Sequence, residues 1–333
     1  MNLEEFAERA FAPAAVAVES GRIPGAVLGI LSGGQRAVRW AGAAQVEPMR
    51  AEMTRETWFD LASLTKVIFT TTAILKLVEA GRIALDDPLT RAIPDLRQYD
   101  MAAVERKLTF RQCLSHQTHL PAVEPLYTYG QDPETLRAFV LQRVWQAGPP
   151  VYSDNNFILL GIAVERLTGK KVSEQPTPPG LGFAPNPARC AATERCTWRG
   201  RVMRGEVHDE NAYALGGAAG HAGLFGTVDG VLDFAASLLD GTGLAAASIA
   251  ALRTRNAPRR TLGWEIRYNG WSGGDACSPE TIGHTGFTGT GMWIDWPRGL
   301  AWTLLTNRVH PSRHSDSGIV ELRRQVGALV CQA

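Results

Sequence analysis

WFDLASLTKVIFTTTAILKLVEAGRI, residues 58–83, decides how the rest of the chain is read. Val67, Ile68, Ile74, Leu75, Leu77 and Val78 recur at roughly helical spacing and Gly81 supplies a stop, so the stretch predicts a buried helix from Ser63 to Ala80. Lys66 stands at its opening. There the helix dipole disfavours a cation, and a lysine turned to the core is costly to desolvate. Ser63 lies three residues earlier, on the same helix face. Either Ser63 is a cap beside a solvated lysine, or it is a nucleophile beside its base.

The whole chain bounds the choice. Its 333 residues are 45% apolar and 20% charged with a formal net charge of +1, an ordinary globular make-up with room for about two domains. No basic stripe or acidic tail points to nucleic acid, and the charge balance gives no electrostatic reason to expect an anionic membrane. Cys113, Cys190, Cys196, Cys277 and Cys331 are odd in number and irregularly spaced, without a C-x-x-C pair, which favours reduced thiols. The opening MNLEEFAERAFAPAAVAVESGRIPG carries Glu4, Glu5 and Glu8 where a secretory signal needs positive charge, and reads as an amphipathic helix. No segment reaches the roughly 18 uncharged apolar residues that span a bilayer. The expected location is the cytoplasm, or the periplasm if a leader has been removed. Nothing here sets an oligomeric state.

Outward from residues 58–83 the period changes twice. Upstream, GAVLGILSGGQRAVRWAGAA has two apolar runs about Ser32-Gly33-Gly34, a hairpin signal. Downstream, helical patterns cover Phe110 to Ser115, Pro133 to Ala147, Asn155 to Thr168 and Asp229 to Leu239, with long loops between them. LGWEIRYNG, TIGHTGFTGTGMWIDWP and LAWTLLTNRV then read as antiparallel strands, the last two joined at Pro297-Arg298-Gly299, before a closing helix from Gly318 to Val330. Strands near both ends predict an α+β fold in which residues 1–62 and 245–333 share one antiparallel sheet and residues 63–244 form an inserted, mainly helical domain. Val172 to Pro187 holds five prolines and predicts an exposed loop.

Ser-x-x-Lys alone is a weak pattern. Two further patterns follow it, each once and in order: Tyr152-Ser153-Asp154 before an apolar helix, and His284-Thr285-Gly286 in a strand-like run. With FDLASLTK, CLSHQTHLP, YSDNNFILLG and HTGFTGTGMWID in this order, nearly the whole chain resembles the serine β-lactamase and penicillin-binding protein superfamily. The likeness is to its class C β-lactamase-like branch, which also holds DD-peptidases, D-aminopeptidases and β-lactamase-fold carboxylesterases. It implies the β-lactamase/transpeptidase-like fold with the active site in the cleft between the sheet and the helical domain, a serine hydrolase working through an acyl-enzyme, and a small ester, amide or β-lactam as substrate. No cofactor or metal is implied.

The resemblance assigns Ser63, Lys66 and Tyr152 to catalysis. A serine hydroxyl needs a base, and a shielded Lys66, either neutral or stabilising a Tyr152 phenolate, completes a Ser-Lys-Tyr relay. By the same resemblance the N–H groups of Ser63 and Phe287 form an oxyanion hole, and His284, Thr285 and Gly286 face the substrate. Asp154 then holds Lys66 or the substrate amide. Two departures matter: the third motif begins with His284 where lysine is commonest, and Asp154 stands where asparagine is. A neutral histidine grips a carboxylate weakly and a carboxylate repels one, so both lean toward neutral esters or small amides. β-Lactamase, D-Ala-D-Ala carboxypeptidase or D-aminopeptidase activity is the alternative; a non-catalytic penicillin-binding sensor is another, though a scaffold has no need of a complete relay.

Other patterns compete. Gly270 to Gly274, GWSGG, matches the G-x-S-x-G elbow, but no strand-then-helix context surrounds Ser272 and the segment reads as a turn. His208, Asp209 and His221 lack helical ligand spacing, so they carry little metal signal. The glycine-rich GGAAGHAGLFG predicts a loop lining the cleft, with His221 as a substrate contact. His116 and His119 read as structural, and Trp293 is placed near the site. The Pro-rich loop, shorter than the segment family members often carry there, is expected to open one wall of the cleft.

Overall fold

A computed structural model describes residues 2–332. Its main sheet has seven strands in the spatial order Ala51–Glu52, Gln35–Gln45, Gly25–Ser32, Leu300–Thr306, Gly291–Asp295, Ile282–Thr285 and Glu265–Ile266. Every neighbouring pair is antiparallel. The hairpin about Ser32 closes because Gly33 and Gly34 have φ of 56° and 80°, the left-handed pair that a tight two-residue turn requires.

Alternation sorts the strand residues into two layers. Ala26, Leu28 and Ile30 join Trp293, Trp302 and Leu304 in a core covered by the helices Leu3–Glu19 and Ile319–Val330. Val27 and Leu31 turn the other way, into the larger core shared with the helix Val228–Leu239. That helix lies close on the sheet at Gly29, where a Cβ would come 2.5 Å from Val228. It packs as part of the sheet's layer although it falls within residues 63–244.

Strands that the helical pattern hides also lie in or beside the span 63–244. Phe59–Asp60, Leu224–Gly226 and Leu181–Phe183 form a three-stranded sheet, and Ala192–Cys196 pairs with Arg201–Arg204. The segment 172–187 is therefore not all loop: a 3-10 turn, Val172–Glu174, and the strand Leu181–Phe183 interrupt it. The helix expected to reach Ala147 is Pro133–Gln142 and stops at Arg143, whose ψ of 138° is extended. The chain turns out there, and the Arg143 guanidinium stacks over Phe139 and Trp145.

Between Ser63 and Ala80 the helix begins at Leu64 and is π-helical over Lys66–Thr71 before becoming α-helical over Thr72–Glu79. Three consecutive threonines favour the wider register. Thr71 Oγ1 donates to the Lys66 carbonyl five residues back at 2.8 Å, and Thr70 Oγ1 donates across to the Gly220 carbonyl at 2.6 Å. Such turns occur mostly as local insertions in helices and often at functional sites. Among the described residues no helix is long and apolar enough to cross a membrane.

Candidate active site

Ser63 and Lys66 reach a common point from one helix start. Lys66 is fully buried, and its ammonium has three close oxygen neighbours. Nζ donates to Ser63 Oγ at 2.9 Å and to the His221 carbonyl at 3.2 Å, and lies 2.7 Å from Asp154 Oδ1. Burial by itself pushes the lysine pKa down; the charge of Asp154, and then of Tyr152, outweighs burial and raises it. The capping alternative is thereby excluded, because a solvated surface lysine has none of these contacts.

Tyr152 and Asp154 arrive from the start of the helix Asp154–Thr168. The Tyr152 ring centroid is 5.1 Å from Lys66 Nζ and 5.0 Å from the Arg260 guanidinium. His116 and His284 rings flank it at 4.6 Å and 5.8 Å. Burial, followed by the charges of Arg260 and Lys66, holds both histidines well below the ordinary imidazole range, so both are neutral. His116, read from sequence as structural, is a shelf for Tyr152: its Nδ1 accepts from the Ser153 N–H at 3.0 Å.

The strand Ile282–Thr285 and the loop after it supply the facing wall, with His284, Thr285 and Phe287 lining the cleft. Four hydrogen bonds pin that loop to the Ser63 turn and to the closing helix. Thr288 Oγ1 donates to the Asp60 carbonyl at 2.7 Å and Thr290 Oγ1 to the Leu61 carbonyl at 3.1 Å. The buried Arg323 donates to the Gly286 and Thr290 carbonyls at 2.7 Å and 2.6 Å. Gly286 is obligatory in this approach, since a Cβ would fall 2.5 Å from the Leu61 carbonyl oxygen. The main-chain N–H groups of Ser63 and Phe287 donate to no group among the described residues, and two free donors on opposed loops suit a developing oxyanion.

The backbone is strained beside Ser63. Ala62 has φ of 47°, a left-handed conformation that a non-glycine residue holds only when its surroundings enforce it. The buried Asp60 enforces it, one carboxylate oxygen accepting from the Ala62 N–H at 2.8 Å and the other from the His208 N–H at 2.6 Å.

Two placements change. His221 does not line the cleft: its ring is buried against Asp209, Nε2 to Oδ1 2.8 Å, and it meets the site only through its carbonyl. Trp293 is not near the site. His284 pairs with Met292 across the strands, so Trp293, one residue on, points to the opposite face and stacks on Trp302. The Pro-rich segment, expected to open one wall, contributes no residue to the cleft. The expected repulsion of anions by Asp154 also fails, because Lys66 compensates that carboxylate. Sequence reading missed Arg260, which enters the cleft of about 480 Å3 with Nη2 3.3 Å from Glu265 and a buried Nη1 that has no partner among the described residues. Arg259-Arg260 followed by an alternating run is its only sequence trace. Ser272 lies in a turn, accepting from the Trp293 indole N–H at 3.3 Å. No group of three or more His, Cys, Asp or Glu among the described residues is placed to hold a metal.

The sequence matches the Beta-lactamase family over residues 8–324. Relatives include the N-acetylmuramyl-L-alanine amidase of Bacillus subtilis (strain 168), 32% identical over 312 residues, with 78% of this chain and 70% of that protein covered. A putative D-alanyl-D-alanine carboxypeptidase of Escherichia coli (strain K12) is 31% identical over 328 residues, covering 82% and 74%. A class C beta-lactamase superposes with a TM-score of 0.77 at 15% identity over 100% of this chain and 97% of that one. EstCE1, described as a hydrolase with promiscuous acyltransferase activity, superposes with a TM-score of 0.72 at 22% identity over 97% and 98%. The chain belongs to the Beta-lactamase family and has the β-lactamase/transpeptidase fold. It is a serine hydrolase of that family, whose members act on small esters, amides and β-lactams.

Proposed function

We propose that Ser63 is the acylated nucleophile and that Lys66 and Tyr152 are its relay, acting on short-chain esters and small amides. The observation that carries this is the ammonium of Lys66, ion-paired with Asp154 at 2.7 Å while donating to Ser63 Oγ at 2.9 Å. A lysine held charged takes up no further proton, so it serves as the counter-ion, and the Ser63 proton passes to the Tyr152 oxygen as Tyr152 hands on its own phenolic proton. Ser63 Oγ attacks the acyl carbon, the leaving group departs with the proton from Tyr152, and water repeats the sequence in reverse to free the acid. The N–H groups of Ser63 and Phe287 stabilise the oxyanion of both steps, and His284, Thr285 and Gly286 form the substrate wall. The sheet unit and the inserted helical unit are read as two domains meeting at this cleft. The five unpaired, buried cysteines suit a reducing compartment, and we place the protein in the cytoplasm on that ground.

Arg260 favours a second reading. Its partnerless Nη1 beside Tyr152 suits a substrate carboxylate, as in a D-alanyl peptide. A kinetic panel of p-nitrophenyl acetate and butyrate, nitrocefin and D-alanyl-D-alanine peptides, with Ser63→Ala protein as control, separates the readings. The ester reading expects the highest kcat/KM on an ester. A peptide above every ester supports the second, nitrocefin above every other substrate returns the protein to the lactamases, and unchanged turnover in Ser63→Ala overturns all three.

A further inference from the structure

A second cavity, of about 420 Å3, lies behind the helix that carries Lys66. It is separate from the cleft, since no residue borders both. One wall is a single helix face, Phe69, Ala73 and Leu77 recurring every four residues. Phe234 and Leu238 of the helix Val228–Leu239 face them. The small side chain of Ala73 leaves the space open, and unfilled apolar walls forfeit the dispersion contacts that packing would supply.

The rim is built to stay open. Pro176 and Pro178 border it without N–H groups to satisfy. The segment that carries them is fastened at both ends. Gln175 Nε2 donates to Thr168 Oγ1 at 2.7 Å and the Lys170 carbonyl at 2.9 Å, and Thr177 Oγ1 donates to the Leu181 carbonyl at 2.8 Å. Among the described residues the single charged group bordering the cavity is Lys76, which is exposed. Lys66 and Lys171 have acid partners among the described residues, whereas Lys76 has none within 4.0 Å. An apolar cavity open at a rim that carries one unpaired cation selects a molecule with an apolar body and an anionic head.

We propose that this cavity binds a medium-chain carboxylate, its unbranched tail between Phe69, Ala73, Phe234 and Leu238 and its carboxylate at Lys76. The ligand then sits against the π-helical turn whose other side presents Lys66 to Ser63. The site is independent of the substrate reading above.

Calorimetric titration of the full chain with sodium decanoate, below its micelle-forming concentration, tests this. One saturable site per chain is expected. Kd should fall about fourfold for each methylene added from hexanoate to decanoate, following the transfer free energy of a buried methylene. Chain phosphonylated at Ser63 should bind equally well, which separates this cavity from the cleft. Ala73→Trp, which fills the cavity, should abolish binding. Lys76→Gln, an exposed change that does not threaten folding, should weaken decanoate about two- to fivefold and leave decanol unchanged, the size of a surface ion pair. Absence of saturable binding, loss of binding on phosphonylation, or an equal response of decanoate and decanol to Lys76→Gln overturns the proposal.

Discussion

Replacing Asp154 by alanine isolates the electrostatics on which the proposed relay depends. In the wild-type site Lys66 has no exposure and its ammonium lies 2.7 Å from a carboxylate that is itself only 17% exposed. Alanine removes the charge and the acceptor together and leaves a buried cation with two neutral partners, Ser63 Oγ and the His221 carbonyl. Breaking a buried pair from one side costs about 3–5 kcal/mol. For 333 residues the unfolding entropy near Tm is about 0.7 kcal/mol/K, so Tm should fall by about 4–7 °C at pH 7. The pH dependence gives a second reading. In the wild type the folded lysine pKa is raised above 10.5, so its stabilisation is complete below pH 10.5 and is lost only as pH rises through the folded value. In Asp154→Ala burial dominates and the folded pKa drops below the unfolded one. The variant should then recover stability as pH rises from 7 toward 10, while the wild type, as far as this group is concerned, does not. Asp154→Asn, which keeps an acceptor, should fall between the two. Urea or thermal unfolding at pH 7 and pH 9.5 measures all three proteins. A loss below about 1 kcal/mol in Asp154→Ala with no such recovery would refute the claim that Asp154 holds the lysine charge.

Three further outcomes are expected. Mass spectrometry after fluorophosphonate labelling should find the adduct on Ser63, and an adduct on Ser272 would restore the elbow reading. Tyr152→Phe should lower kcat to within about tenfold of Ser63→Ala, since members of a relay fail together; near-normal turnover would remove Tyr152 from it. Glu194 should set part of the acid limit of stability. Burial opposes its ionisation, but hydrogen bonds from His208 and Arg313 prevail and hold its pKa down to about 2, from 4.5. The stabilisation is present above pH 4.5 and is lost as pH falls toward 2, so Glu194→Gln should be less stable at pH 6 and lose less than the wild type between pH 5 and pH 2. Parallel acid-unfolding curves for the two proteins would contradict that assignment.

What the residues determined by themselves was local and periodic. Gly33-Gly34 signals the hairpin because only that conformation closes two residues, and the period-two runs after residue 260 signal strands whichever way they fold. Ser63, Lys66, Tyr152 and His284 were legible as a set because chemistry demands those residue types, and a lysine at a helix start is otherwise unfavourable. Short pairings were not legible: Phe59–Asp60 and Leu224–Gly226 are two and three residues long, too short for a period, and exist because distant segments meet. Alternation carried out to its end would have excluded Trp293, one residue beyond the partner of His284 and so on the other face. Only the tertiary structure decided the rest. Asp154 reads as a partner of Lys66, a partner of a substrate amide or a repelling carboxylate until Lys66 lies against it, and His221 reads as a substrate contact until Asp209 takes its ring. Arg260 is one of several surface-type arginines until the sheet edge carries it over Tyr152. A charge acts through its distance to other charges, and those distances span 88 residues for Lys66 and Asp154, which no local pattern encodes.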